Sequence, residues 1–194
     1  TVEENQLSIG TVRATDVDSN SITYSLSGTD ASSLSIGPSN GVLVFNTAPD
    51  YETKSSYSAV VTASDGANST DQSISITITD VDDNAPVFIS PSTFTVEENQ
   101  LSIGTVVATD VDSNSITYSL SGTDASSLSI GSISGLLVFN TAPDYETKSS
   151  YSAVVSASDG TNSTDQSIVI NIIDANDSAP IFTSLSSFTV IENQ

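Results

Sequence analysis

The string TVEENQLSIGT begins at Thr1 and again at Thr95, and TVIENQ begins at Thr189, so the chain repeats itself at a spacing of 94 residues. About one position in five differs between the two full copies. A fixed period with such self-similarity marks a modular array. The period is longer than a solenoid unit and close to the size at which a domain folds alone, so it predicts tandem domains. The dipeptide AP at 85–86 and 179–180 marks the boundaries. Residues 1–84 form a first repeat, 85–178 a second, and 179–194 open a third. VFISPSTFTV (87–96) reads as the first strand of the second repeat and IFTSLSSFTV (181–190) as that of the third. The first repeat has no counterpart, because the chain begins at Thr1, as a fragment of something longer would.

Each repeat reads as β. LSIGTVRA (7–14), SITYSL (21–26), GVLVFNT (41–47), YSAVVTAS (57–64) and QSISITIT (72–79) are short, rich in Val, Ile, Thr and Tyr, and bounded by Gly, Asn, Asp and Pro. Ile74, Ile76 and Ile78 recur as Ile168, Ile170 and Ile172, while the alternate positions change: Ser75 to Val169, Thr77 to Asn171, Thr79 to Ile173. A strand with one face in a core and one in solvent behaves this way. Tyr57, Ala59, Val61 and Ala63 share a face by the same alternation. The expectation is all-β: two sandwiches of about seven strands each.

Acidic residues outnumber Lys and Arg by 24 to 3, a net charge of −21. That excludes nucleic acid as a natural partner, since phosphate contacts need Lys and Arg. Cysteine and histidine are both absent, which removes disulfides, thiolate sites and a Ser-His-Asp nucleophile. No apolar run is long enough to span a bilayer as a helix, and no signal peptide precedes TVEENQ.

Ten of the first repeat's twelve acids fall in five places: Glu3–Glu4, Asp16 and Asp18, Asp50 and Glu52, Asp65, and Asp80, Asp82 and Asp83. All lie at expected strand ends or turns. Strand ends collect at the two poles of a sandwich. The base of one repeat therefore brings Glu4, Asp50, Glu52, Asp80, Asp82 and Asp83 toward Asp110, Asp112 and Asp159 at the top of the next. Two carboxylates about 4 Å apart repel by roughly 4 kcal/mol at an effective dielectric near 20. With so few Lys and Arg, the balancing charge must come from solution. Clustered hard oxygens select Ca²⁺, whereas softer metals prefer His or Cys.

VEEN, ATDVD, PDYE, ASDG and DVDDNAP, in this order, resemble the calcium motifs of cadherin repeats, over both full units. The resemblance implies a seven-stranded Greek-key sandwich with about three Ca²⁺ per junction. On that resemblance Glu4, Asp50, Glu52, Asp80 and Asp83 hold two ions with the carbonyl of Val81. Asp82, Asn84, Asp110, Asp112 and Asp159 hold the third, with Asp112 shared, and Asn114 adds a carbonyl. Partial sites at the chain ends comprise Asp16, Asp18 and Asp65 on one side and Glu98, Asp144, Glu146, Asp174, Asn176 and Asp177 on the other. Asp82 stands where the family often has Asn, and Ser178 replaces Asn84 in the second linker, DANDSAP, which weakens its third site. Near-identical repeats, a Ser/Thr-rich surface and the lack of Cys resemble bacterial cadherin-like repeats of large surface adhesins.

Other readings fit worse. DVDSN (16–20) starts like an EF-hand loop, but position 6 is Ser21 and position 12 is Ser27. A glycosidase needs two carboxylates in a cleft, yet Asp50 and Glu52 recur beside a linker cluster in each repeat. The expected function is thus a non-enzymatic, calcium-binding structural and adhesive module, extracellular and at the cell surface, in a membrane-associated parent. The alternative is a repeat that itself binds a partner, homophilically or on a surface polysaccharide. Strand exchange between copies, through residues 181–190, is a further expectation.

Overall fold

A computed structural model describes residues 1–18, 21–112, 115–184, 186–187, 189–190 and 192. The chain forms two compact units. One is Thr1–Ile89 with Ala108–Thr117 and Ala157–Thr164; the other is Ser90–Val107, Tyr118–Ser156 and Asp165–Gln194. The segments 108–117 and 157–164 carry the ATDVD and ASDG motifs of the second repeat, so both motifs belong to the first unit.

The first repeat contributes β1 (Val2–Glu3), β2 (Ser8–Thr11), β3 (Thr23–Ser27), β4 (Leu34–Ile36), β5 (Val42–Phe45), β6 (Ser56–Ser64) and β7 (Ser69–Thr79). One sheet has the order β1-β7-β6-β3 and the other β2-β5-β4. The long β6–β7 hairpin supplies the alternation seen in the sequence: Ala59, Val61, Ile76 and Ile78 are buried, with Val60 half-buried and Thr77 exposed between them. Leu34, Leu43 and Phe45 meet Ala59, Ile76 and Ile78 from the facing sheet. Fully burying each large apolar side chain contributes about 1.5–3 kcal/mol. Phe45 and Tyr57 pack edge to face, with ring centroids 4.9 Å apart. Beside them Lys54 lies 4.8 Å above the Tyr57 ring and pairs with Asp30. Asp30 also accepts the Ser58 N–H at 2.8 Å. The Lys54 ammonium and these hydrogen bonds hold its carboxyl below the usual range.

Gly41 closes the turn before β5 with φ of 66°, and a Cβ there would lie 2.1 Å from the Val12 carbonyl oxygen. Only glycine suits that backbone and that approach. Gly135 repeats the geometry beside Val106.

The second repeat builds the same sheets from β9 (Thr93–Glu97), β10 (Ser102–Thr105), β12 (Thr117–Ser121), β13 (Leu128–Ile130), β14 (Leu136–Phe139), β15 (Ser150–Ser158) and β16 (Ser163–Ile173). Their orders are β12-β15-β16-β9 and β10-β14-β13. Leu137, Phe139, Val155, Ile168 and Ile170 are buried. The small ladder of β8 (Val87–Phe88) with β11 (Ala108–Thr109) lies in the first unit. The expected strand 87–96 is therefore split: its start pairs with β11 and its end, as β9, runs parallel to β16 from Thr93 to Glu97. In the first repeat only the last two residues of that strand are matched, by Val2 and Glu3 of β1 against Ile78 and Thr79. The described residues after Ile173 carry no strand.

Candidate metal centre

Glu4 follows β1 and is 2% exposed. Its two carboxylate oxygens accept the N–H groups of Val81 and Tyr51, each at 2.8 Å. One buried carboxylate thus ties the DYE turn to the linker that leaves β7. Asn5, in the left-handed region with φ of 62°, donates its N–H to the Pro49 carbonyl and its side-chain amide to Asp83. Asp50 caps its own turn by accepting the Thr53 hydroxyl at 2.6 Å. That bond, with the backbone donors of the turn, keeps its carboxyl below the ordinary value.

The other half of the site comes from the segments 108–117 and 157–164. Asp112 accepts the backbone N–H groups of Asp83 at 3.0 Å and Asn84 at 2.6 Å, and the Asn84 side-chain amide at 3.0 Å. Desolvation raises its carboxyl, but these donors outweigh it and the net direction is down. Asp110 accepts the Asp112 N–H at 2.9 Å. Asp159 accepts the N–H groups of Thr161 and Asn162 through one oxygen. Its other oxygen is buried with no hydrogen-bond partner among the described residues. Asn162 donates to the carbonyls of Asp82 and Asn84, each at 3.2 Å, and Thr161 donates its hydroxyl to Asp82 at 2.8 Å.

Three overlapping trios result: Glu4, Asp50 and Glu52; Glu52, Asp80 and Asp112; and Asp82, Asp110 and Asp112. Within each, one oxygen per residue lies within 4.8 Å of the others. Loss of water, aided by the Asp50 contact and the charges of Glu4 and Asp112, pushes Glu52 up to about 7. Asp80 rises for the same reasons, desolvation first and then the charges of Asp112 and Glu4. Lys54 and Lys148, two of the chain's three basic side chains, pair with Asp30 and Asp124 away from these trios. An all-oxygen anionic set with a buried unpartnered oxygen fits a hard divalent cation.

Most residues expected from the sequence thus sit together. Asp83, Asn84 and Asp159 lie at the trios' margins, joined through Asp112 and Asn162, and Val81 is held by its N–H on Glu4. Asn114 lies outside the described residues. In the second unit Glu98 accepts the N–H groups of Tyr145 and Ala175 at 2.8 and 2.7 Å and forms a trio with Asp144 and Glu146. Asp144 is lowered by the Thr147 hydroxyl. Glu146 is pulled down by its own N–H, but desolvation and the charges of Glu98 and Asp174 prevail and raise it. Asn99 donates to Asp177 at 2.6 Å, and Asn176 is exposed. Asp16 accepts the Asp18 N–H, and Asp65 accepts those of Ala67 and Asn68, which lower its carboxyl. These three form no trio among the described residues. Asn5, Thr161 and Asn162 escaped the sequence reading. The VEEN motif held the signal for Asn5; nothing local marked the other two.

The fold and site together define tandem β-sandwich repeats with acidic turns gathered around a linker. A cadherin domain profile matches residues 1–79 and 92–173, and the chain belongs to the cadherin family. Protocadherin Fat 4 of mouse is 36% identical over 205 residues, covering 97% of this chain and 4% of that protein. Human Protocadherin-15 is 32% identical over 193 residues, covering 93% and 10%. The chain therefore spans a small fraction of these relatives. Among solved structures, mouse Cadherin-23 EC22-24 superposes with a TM-score of 0.73 at 27% identity, covering 91% of this chain and 64% of that one. Human Protocadherin-24 EC1-2 gives 0.76 at 23% identity, covering 90% and 94%. Cadherins are adhesion proteins, and no catalytic family is indicated.

Proposed function

We propose that this chain is a calcium-binding structural module of an extracellular adhesion protein, in which Ca²⁺ stiffens the link from one repeat to the next. The observation that carries the reading is the convergence of Glu4, Asp50, Glu52, Asp80, Asp82, Asp110 and Asp112 into overlapping carboxylate trios without lysine or arginine among them. On this reading Glu4, Asp50, Glu52, Asp80 and Asp83 hold two ions with the Val81 carbonyl. Asp82, Asn84, Asp110, Asp112 and Asp159 hold a third, with Asp112 shared. The repeats are taken as 1–84, 85–178 and 179 onward. Bound Ca²⁺ supplies the charge that offsets carboxylate repulsion. The protein's own contribution is to preorient the oxygens: Glu4 by the Tyr51 and Val81 N–H groups, Asp112 by Asp83 and Asn84, and Asp159 by Thr161 and Asn162.

Many such modules in series would carry an adhesive tip away from a cell surface. The near-identity of the two repeats favours an array grown by duplication, as in bacterial surface adhesins; that ascription rests on the repeat pattern, since the relatives named above are animal proteins. Proteolysis across residues 80–86 with and without calcium tests the reading. Protection of the linker by millimolar Ca²⁺, lost in chelator, supports it. Equal cleavage in both refutes it.

A further inference from the structure

Two of the chain's three basic side chains stand beside carboxylate trios without joining them. Lys54 lies one turn after Asp50, its N–H donating to the Asp50 carbonyl at 2.9 Å. Its flexible stem therefore starts within reach of the trio of Glu4, Asp50 and Glu52. Yet its ammonium pairs with Asp30 and lies over the Tyr57 ring. The second unit repeats the arrangement. Lys148 donates its N–H to the Asp144 carbonyl at 2.9 Å, beside the trio of Glu98, Asp144 and Glu146, and its ammonium goes to Asp124 and the Tyr151 ring.

The aspartates that take the lysines are fixed. Asp30 donates its N–H to the Ser58 carbonyl at 3.0 Å, and its carboxylate accepts the Ser58 N–H at 2.8 Å. Asp124 makes the same two bonds with Ser152, at 3.0 and 2.8 Å. Without such a hold, an ammonium tethered one turn from three carboxylates would act at an effective concentration on the order of millimolar. Its three donors would satisfy the oxygens that a metal ion needs.

We propose that Asp30 and Asp124 are positioning residues: each holds its lysine off the neighbouring trio, so that the chain's own cation does not fill it. The consequence for calcium affinity rests on the cation reading above. The position of the lysine does not, because it is a property of the metal-free chain.

Nuclear magnetic resonance on the full chain at pH 8 in chelator tests the restraint. In the wild type the ε-methylene protons of Lys54 are shifted upfield by the Tyr57 ring and stay there when 5 mM Ca²⁺ is added. Asp30→Asn keeps an oxygen for the Ser58 N–H and removes the charge. It moves the side-chain carboxyl carbon signals of Asp50 and Glu52, and Asp30→Asn with Lys54→Met returns them to their wild-type positions. Those of Asp144 and Glu146 stay in place in both variants. Calcium calorimetry then reads the consequence: affinity at the first trio falls about three- to fivefold in Asp30→Asn, the worth of a partly exposed ion pair, and recovers in the double variant. A wild-type Lys54 without the upfield shift in chelator overturns the proposal. So do carboxyl signals that Asp30→Asn leaves in place, or that the double variant fails to restore. If the signals move and return as described but no form of the chain binds calcium, the restraint stands and the calcium reading falls.

Discussion

Glu52→Gln separates a cation-binding cluster from a merely acidic surface by the sign of its effect. Glu52 belongs to two of the three trios, and its carboxyl is pushed up to about 7 by desolvation and by Glu4 and Asp112. A carboxylate whose folded value is raised opposes folding as it ionises, so at pH 8 without cation the charge is destabilising. Glu52 is solvent-exposed, and screening holds the relief on neutralising it to about 0.5–1 kcal/mol. That corresponds to a rise in Tm of roughly 2–8 °C in a repeat of this size. With Ca²⁺ the sign reverses. Calcium at about 100 times Kd stabilises by about 2.7 kcal/mol, and each tenfold loss of affinity removes about 1.4 kcal/mol of it. Scanning calorimetry at pH 8, in chelator and in 5 mM Ca²⁺, reads both arms. The variant melts above wild type in chelator and below it in calcium. A rise in both conditions would mean ordinary surface repulsion. A fall in both would mean a structural role without a cation, and either result refutes the cluster as a calcium site.

The same displaced carboxyls make binding pH-dependent. Ca²⁺ must displace the proton from Glu52, so affinity measured by calorimetry falls as pH drops below about 7, approaching tenfold per unit if one proton is released. Asp83→Ala abolishes most of the calcium protection of the linker from proteolysis, whereas Glu3→Ala, at an exposed position, stays within about 0.5 kcal/mol of wild type. Asp30→Ala removes a nearly buried partner of Lys54 and Ser58 and lowers the stability of the first repeat by about 1–3 kcal/mol by denaturant melts. Phe45→Ala, in the sandwich core, costs about 3–5 kcal/mol in the same melts.

The long strands were legible because burial imposes a period of two on them. Ile74, Ile76 and Ile78 announce β7 directly, although the strand begins earlier, at Ser69, where the sequence STDQ has no apolar face to show. β4, the three residues Leu34–Ile36, was invisible: so short a stretch has no period, and only its pairing with β5 makes it a strand. The acid clusters were legible from strand alternation, which sends turns to two poles. Their scaffolding was not. Asn162 reaches Asp82 and Asn84 across about eighty residues, and no local pattern encodes such a bond. Asp30 and Lys54 were likewise unremarkable in sequence, yet the same pair recurs as Asp124 and Lys148, each lysine over a tyrosine ring.

Calorimetric titration of the metal-free chain with Ca²⁺ at pH 8, with anomalous diffraction to locate the ions, addresses the central claim most directly. A calcium-bridged linker predicts about three ions among Glu4, Asp50, Glu52, Asp80, Asp82, Asp83, Asp110, Asp112 and Asp159. No heat of binding up to millimolar calcium, or ions found only at scattered surface carboxylates, would contradict it.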